Sequence, residues 1–224
     1  VDRFDRMSIE IETAQFEHAK LNRSSIGKQI SRACGRLFET PCISFAQGRC
    51  RFQTTERPTY RILSGISQHV CGNSQLCGDS YECFPDGSGR QIAIISDGMG
   101  TGGRAAVDGA MAAGIMATLI KAGIGFDCAL KIVNSALLVK SGDESLATID
   151  LAVFDLFSGK VNFMKAGAAI SYVRKFGKAI KIDAPSLPVG ILNEVEFSRE
   201  DLELSQDDLI VLFSDGVTAS GDDW

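Results

Sequence analysis

Two runs of aliphatic residues in this chain end in the same triplet, and together they limit the fold more than any other feature. Residues Gln91–Gly100 read QIAIISDGMG, and residues Asp208–Val217 read DLIVLFSDGV. A continuous apolar run of this length is the pattern of a strand buried on both faces. Each run stops at Ser-Asp-Gly, so a carboxylate leaves the core where the backbone turns. Gly98 and Gly216 would permit that turn, since glycine has no Cβ penalty at positive φ. Asp97 and Asp215 are therefore expected at the mouths of two rigid strands, an arrangement suited to a metal ion or a phosphate.

A third aspartate joins them by arithmetic. Tyr81–Phe84 reads as a short strand, and Pro85-Asp86-Gly87-Ser88-Gly89 has turn chemistry throughout. The strand Arg90–Ser96 completes a hairpin. Asp79 and Asp97 each lie nine residues from Ser88, so they fall opposite each other across it. Opposed residues share a face, with Cβ atoms about 5 Å apart. Two ionised carboxylates that close repel, and one holds its proton unless a cation lies between them. A hard divalent cation with oxygen ligands answers that demand.

Gly98, Gly100 and Gly103 match GxGxxG between a strand and a helix running from Arg104 to about Ala122. A dinucleotide fingerprint would look like this. Asp97 would, however, set a negative charge beside the pyrophosphate, and no acidic residue follows a second strand about 20 residues on. A second helix, Phe126–Val139, comes next instead. The glycines Gly100 and Gly102 keep another use: they let backbone amides at a helix N-terminus approach a phosphoryl group.

The remaining segments set the class. Leu146–Phe157, Lys160–Lys165, Ile170–Phe176, Ala179–Ile182, Val195–Leu204 and Leu209–Ser214 read as strands joined by tight turns. Strands, two consecutive helices, then more strands imply an α+β fold with antiparallel sheets. Asp150, inside an apolar strand, is read as a hydrogen-bonded structural carboxylate, with a site-facing role as the alternative.

The first 57 residues read as a helical lead, and the main domain is placed over residues 58–224. Met7, Ile11, Ala14, His18 and Leu21 recur at helical spacing and predict a helix from Asp5 to about Leu21. A second helix, capped by Ser24 or Ser25, carries Ile26, Ile30, Ala33 and Leu37. These helices need a surface, whether the following domain, a partner chain or a further domain. Arg49–Glu56 and Tyr60–His69 read as strands separated by Arg57-Pro58.

Composition narrows the function. Hydrophobic residues make up 45% and charged residues 23%, enough to bury a core, and the net charge of −5 argues against nucleic acid as partner. No apolar stretch reads as a membrane span. Seven cysteines, an odd number without a CxxC pair, are read as reduced thiols, which suits the cytoplasm. The even spacing of Cys71, Cys77 and Cys83 does not make a zinc pattern. Neither His18 nor His69 sits in a ligand pattern.

Five segments in order carry a resemblance: Gly78-Asp79-Ser80-Tyr81, Ile95-Ser96-Asp97-Gly98-Met99-Gly100, Thr148-Ile149-Asp150-Leu151, Leu187-Pro188-Val189-Gly190-Ile191 and Ser214-Asp215-Gly216-Val217. Together they resemble the PPM-type metal-dependent serine/threonine phosphatases, and within these the stage II sporulation protein E branch. The resemblance runs from about Pro58 to the C-terminus, and Gly48–Arg51 with Glu56–Pro58 resembles the stretch just ahead. It implies a two-sheet antiparallel β-sandwich flanked by helices, with two Mn2+ (or Mg2+) ions at one edge. Asp97 would bridge the ions, the Gly98 carbonyl would be a further ligand, and Asp215 and Asp79 would each hold one ion. A metal-activated water, and no protein nucleophile, would attack phosphorus. The implied substrate is a phosphoserine on an anti-sigma-factor antagonist in sporulation or stress signalling, with regulation through helices ahead of and within the domain. A homodimer is compatible with this, as is a membrane anchor elsewhere in a longer protein. The reading from a different class is a non-catalytic regulatory or binding module on the same fold.

The family's last motif, Gly-Asp-Asp, lies several tens of residues beyond the second Ser-Asp-Gly. Gly221-Asp222-Asp223 follows Asp215 too closely to be it and is expected in a surface loop. The expectation is a C-terminally truncated domain that binds manganese weakly and self-associates through an unpaired sheet edge.

Overall fold

The computed structural model describes residues 6–14, 22–46, 48–70, 76–100, 102–140 and 145–218. Within them the chain forms two compact units, Val1–Thr59 and Tyr60–Trp224.

In the first unit, strand β1 (Ser8–Thr13) and strand β2 (Cys42–Ala46) flank strand β3 (Arg49–Thr55) in an antiparallel sheet. The helix expected from Asp5 is therefore corrected: its described part is mostly strand, and Gln15–Leu21, with His18, lies outside the described residues. Ser8-Ile9-Glu10-Ile11-Glu12-Thr13 alternates with period two as well as offering a helical stripe. The alternation prevails because it matches β3, whose Cys50, Phe52 and Thr54 are buried while Arg49 and Arg51 face outward. Those arginines meet glutamates of β1, Arg49 with Glu12 at 2.8 Å and Arg51 with Glu10 at 3.1 Å. Helix α1 (Arg23–Cys34) is capped by Asn22, whose Oδ1 accepts from the Ser25 amide at 3.1 Å, in place of the expected serine. It ends at Gly35 in the left-handed region, φ 66°.

The second unit begins with an extended segment. Tyr60–His69 forms no strand, contrary to expectation. The Tyr60 amide bonds the Leu156 carbonyl, but Leu63 and Ile66 lie exposed, and no neighbouring strand completes a ladder along them. Strands β4 (Asp79–Pro85) and β5 (Arg90–Asp97) then make the expected hairpin. Asp86 fixes its turn, accepting from the amides of Ser88 and Arg90 at 2.9 and 3.1 Å. Helices α2 (Gly102–Lys121) and α3 (Phe126–Lys140) follow, then β6 (Ile149–Asp155), β7 (Lys160–Ala166), β8 (Ser171–Lys175), β9 (Lys178–Ile182), β10 (Ser198–Glu203), β11 (Leu209–Val211) and the short α4 (Asp215–Thr218).

Two antiparallel sheets result, in the orders β10-β7-β6-β5-β4 and β11-β8-β9. Alternate residues of the five-stranded sheet serve two cores. Ile92, Ile94, Ile149, Leu151 and Val153 meet α2 and α3 on one face. Ala152, Phe154, Val161 and Phe163 meet Val173 and Ile182 of the other sheet on the opposite face. This is the α+β sandwich expected, with a helical layer on the five-stranded sheet. By length and composition alone α2 is apolar enough to cross a membrane, which the sequence reading had not foreseen; its buried residues pack on the sheet.

Candidate metal centre

The β4–β5 register places Asp79 directly opposite Asp97. Asp215 comes from the other sheet, where β11 runs on through Leu212–Ser214 to the start of α4. Its carboxyl and that of Asp79 both act on the Asp97 carboxyl. Ser214 draws the two sheets together, its Oγ donating to Asp79 Oδ2 at 2.8 Å. Asp79 and Asp97 are thus paired across the hairpin, and Asp215 lies near enough to act on the Asp97 carboxyl.

Neighbouring residues hold Asp97 by its backbone. Its amide donates to Thr148 Oγ1 at 3.0 Å, and its carbonyl accepts from the Thr148 amide at 2.8 Å. Beyond it, Gly98 bridges to Ala147, which bridges in turn to Val189. Gly98 and Gly216 are not in the left-handed region, so the expected reason for these glycines is corrected. Gly98 serves close approach: a Cβ there would lie 1.9 Å from the Ala105 carbonyl oxygen of α2. Gly109 does the same from the helix, with 2.2 Å to the Gly78 oxygen. Sequence reasoning missed Gly109, and its signal was a glycine inside a helical pattern. It is Gly100 and Gly102 that take positive φ, 102° and 77°, as the chain turns into α2. The first turn of that helix carries no acidic residue.

Electrostatics mark this cluster. Burial first, then the charge of Asp79 and contact with Asp215, push the Asp97 carboxyl up to about 7. Every neighbour acting on it acts in that direction, so in the metal-free fold Asp97 keeps its proton up to the neutral range, well above an ordinary carboxyl. An all-oxygen, carboxylate donor set with one proton to displace fits a hard divalent cation. Among the described residues, however, no three acidic, histidine or cysteine side chains are grouped closely enough to hold a metal ion by themselves.

Asp150 takes the hydrogen-bonded role expected of it. It is 1% exposed, and it pairs with Lys165, its register partner on β7, at 2.7 Å. Burial pushes its carboxyl up, while the Lys165 ammonium and the Ser171 hydroxyl pull it down. Cys77 and Cys83 are free, and Cys71 lies outside the described residues, as does Gly221–Asp223.

Residues 87–223 match the family model "Stage II sporulation protein E (SpoIIE)". Stage II sporulation protein E of Priestia megaterium is 34% identical over 79% of this chain and 30% of its own length. The phosphoserine phosphatase RsbU of Bacillus subtilis is 30% identical over 64% of this chain and 43% of its own. The chain thus spans less than half of these relatives. Among solved structures, the PP2C phosphatase domain with a fragment of the regulatory domain of the cell fate determinant SpoIIE, from Bacillus subtilis, superposes with a TM-score of 0.73. It is 26% identical and covers 95% of this chain and 63% of that one.

Proposed function

This chain belongs to the stage II sporulation protein E family and carries its PPM-type phosphatase domain, and from that premise we propose that it is a metal-dependent phosphoserine phosphatase. The observation that carries the reading is the hairpin register that sets Asp97 opposite Asp79, with Ser214, next to Asp215, bonded to Asp79 from the other sheet. In this reading Asp97, Asp79, Asp215 and the Gly98 carbonyl would hold manganese or magnesium ions. Bound there, the ions supply an activated water and neutralise the phosphoryl oxygens. The chain's own part is placement. Thr148 fixes the Asp97 backbone, Ser214 orients Asp79, and Gly100 and Gly102 bring the α2 N-terminus within reach of an anion.

RsbU is by name a phosphoserine phosphatase, which supports phosphoserine as the bond cleaved. A phosphorylated anti-sigma-factor antagonist, met in the cytoplasm, is the substrate class we infer. One observation favours a second reading, a non-catalytic regulatory module: among the described residues no three acidic, histidine or cysteine side chains are grouped closely enough to hold a metal ion. Manganese-dependent release of phosphate from a phosphoserine peptide separates the two. Turnover that Asp97→Asn abolishes supports the phosphatase; manganese binding without turnover supports the module.

A further inference from the structure

A second polar cluster lies one strand-row behind the acidic one. Ile95 pairs with Asp150 and Asp150 with Lys165, while Asp97, two residues beyond Ile95, points to the same face. Lys165, Asp150 and Ser171 are each 1% exposed or less. The Lys165 ammonium spends all three donors: on Asp150 Oδ2 at 2.7 Å, on Ser171 Oγ at 2.7 Å and on the Ala169 carbonyl at 2.8 Å. Ser171 Oγ in turn donates to Asp150 Oδ2 at 2.9 Å. Among the described residues Asp150 Oδ1 has no hydrogen-bond partner.

The fold alone does not call for these groups. Replacing a buried ion pair with apolar side chains is often neutral or stabilising, and the same inter-sheet layer is otherwise filled by Phe154, Val161, Phe163, Val173 and Ile182. What the cluster does is join three segments that reach the acidic centre. Asp150 lies on β6, two residues after Thr148, the anchor of Asp97 just ahead of that strand. Lys165 holds the loop from β7 to β8 through Ala169. Ser171 opens β8, whose next residue, Tyr172, pairs with Val211 of β11, the strand that leads to Asp215. Asp79 and Asp97 belong to one sheet and Asp215 follows the other, so their separation depends on how the sheets are seated. Apolar packing is non-directional, whereas three hydrogen bonds from one ammonium are not.

We propose that Lys165, with Asp150 and Ser171, is a positioning residue: it sets the two sheets in the register that brings Asp215 to Asp97. The inference rests on the metal-centre reading above and adds to it the group that holds the centre's two halves together.

The test uses the neutral pair Asp150→Asn/Lys165→Met, which leaves no unpaired buried charge, and Ser171→Ala, which removes only the bridge between sheets. Manganese is titrated calorimetrically into each, and amide exchange over Ser214–Val217 is followed in the metal-free chain. The expected result is a folded double variant that binds manganese about tenfold more weakly and exchanges faster at those amides. Ser171→Ala should show the same changes to a smaller extent. A folded double variant with unchanged manganese affinity and exchange overturns the proposal. If the double variant does not fold, unchanged values in Ser171→Ala overturn it equally. Asp215→Asn is the control for the reading beneath. If that variant binds manganese as the parent does, the metal assignment fails, and amide exchange alone still decides the role of Lys165.

Discussion

Two groups of carboxylates sit side by side in this sandwich and are treated in opposite ways. Asp150 is deeply buried and is given its own ammonium and a hydroxyl. Asp97 is half-buried, faces two further carboxyls, and has every neighbour pushing its proton affinity up. Buried charge is tolerated when paired, and an unpaired cluster holds a proton or awaits a cation. The contrast teaches which charge the protein neutralises itself and which it leaves to a ligand. Replacing residues should therefore move opposite quantities in the two places.

The largest effect on folding is expected at Lys165. Lys165→Ala strands Asp150 in the core and should cost about 3–5 kcal/mol, read by urea denaturation. A loss under about 1 kcal/mol would mean that the pair is not deeply desolvated. At the acidic cluster the same kind of change should spare the fold and remove function. Asp97→Asn should lower manganese-dependent turnover at least ~10²-fold, while raising the metal-free melting temperature by ~2–4 °C near pH 8. If that variant melts lower, Asp97 is structural and the contrast collapses.

Between the two in size lies the helix seat. Gly109→Ala should cost ~1–3 kcal/mol, because its Cβ would collide with the Gly78 oxygen and push α2 off the strand that ends in Asp97. Turnover should fall with it. Ala110→Gly, at an exposed α2 position, should cost ~1 kcal/mol through helix propensity and leave manganese affinity alone.

The smallest effect is a pH dependence with a defined sign. The Asp97 carboxyl titrates near 3.9 in an unfolded chain and about 7 in the metal-free fold. Its contribution to stability is thus complete below about pH 4 and is lost as pH rises through 7. Solvent reaching a half-exposed group reduces it to a few degrees of melting temperature. Saturating manganese should abolish the decline, and Asp97→Asn should remove it without metal.

Much of this centre was legible in the chain. The symmetry of Asp79 and Asp97 about the turn at Ser88 follows from residue counting, since a tight turn fixes hairpin register. Helices α2 and α3 were visible because long apolar periodicities bounded by glycine have few other readings. What stayed hidden depended on long-range pairing. Ser8–Thr13 carries a helical and a strand pattern at once, and only β3 decides between them. Tyr60–His69 has strand-forming residues but no partner edge along it. Asp150 gave no hint of Lys165, because 15 residues separate them in the chain and a strand turn brings them together. Gly98 was recognisable as necessary but for the wrong reason, since close approach and positive φ leave the same residue behind.

The most direct measurement of the central claim is manganese calorimetry on the metal-free chain near pH 6.5, in two buffers of different ionisation enthalpy. The account predicts binding that releases close to one proton, tightens as pH rises through about 7, and loses the proton release in Asp97→Asn. Binding without proton release, or binding indifferent to Asp97→Asn, would contradict it.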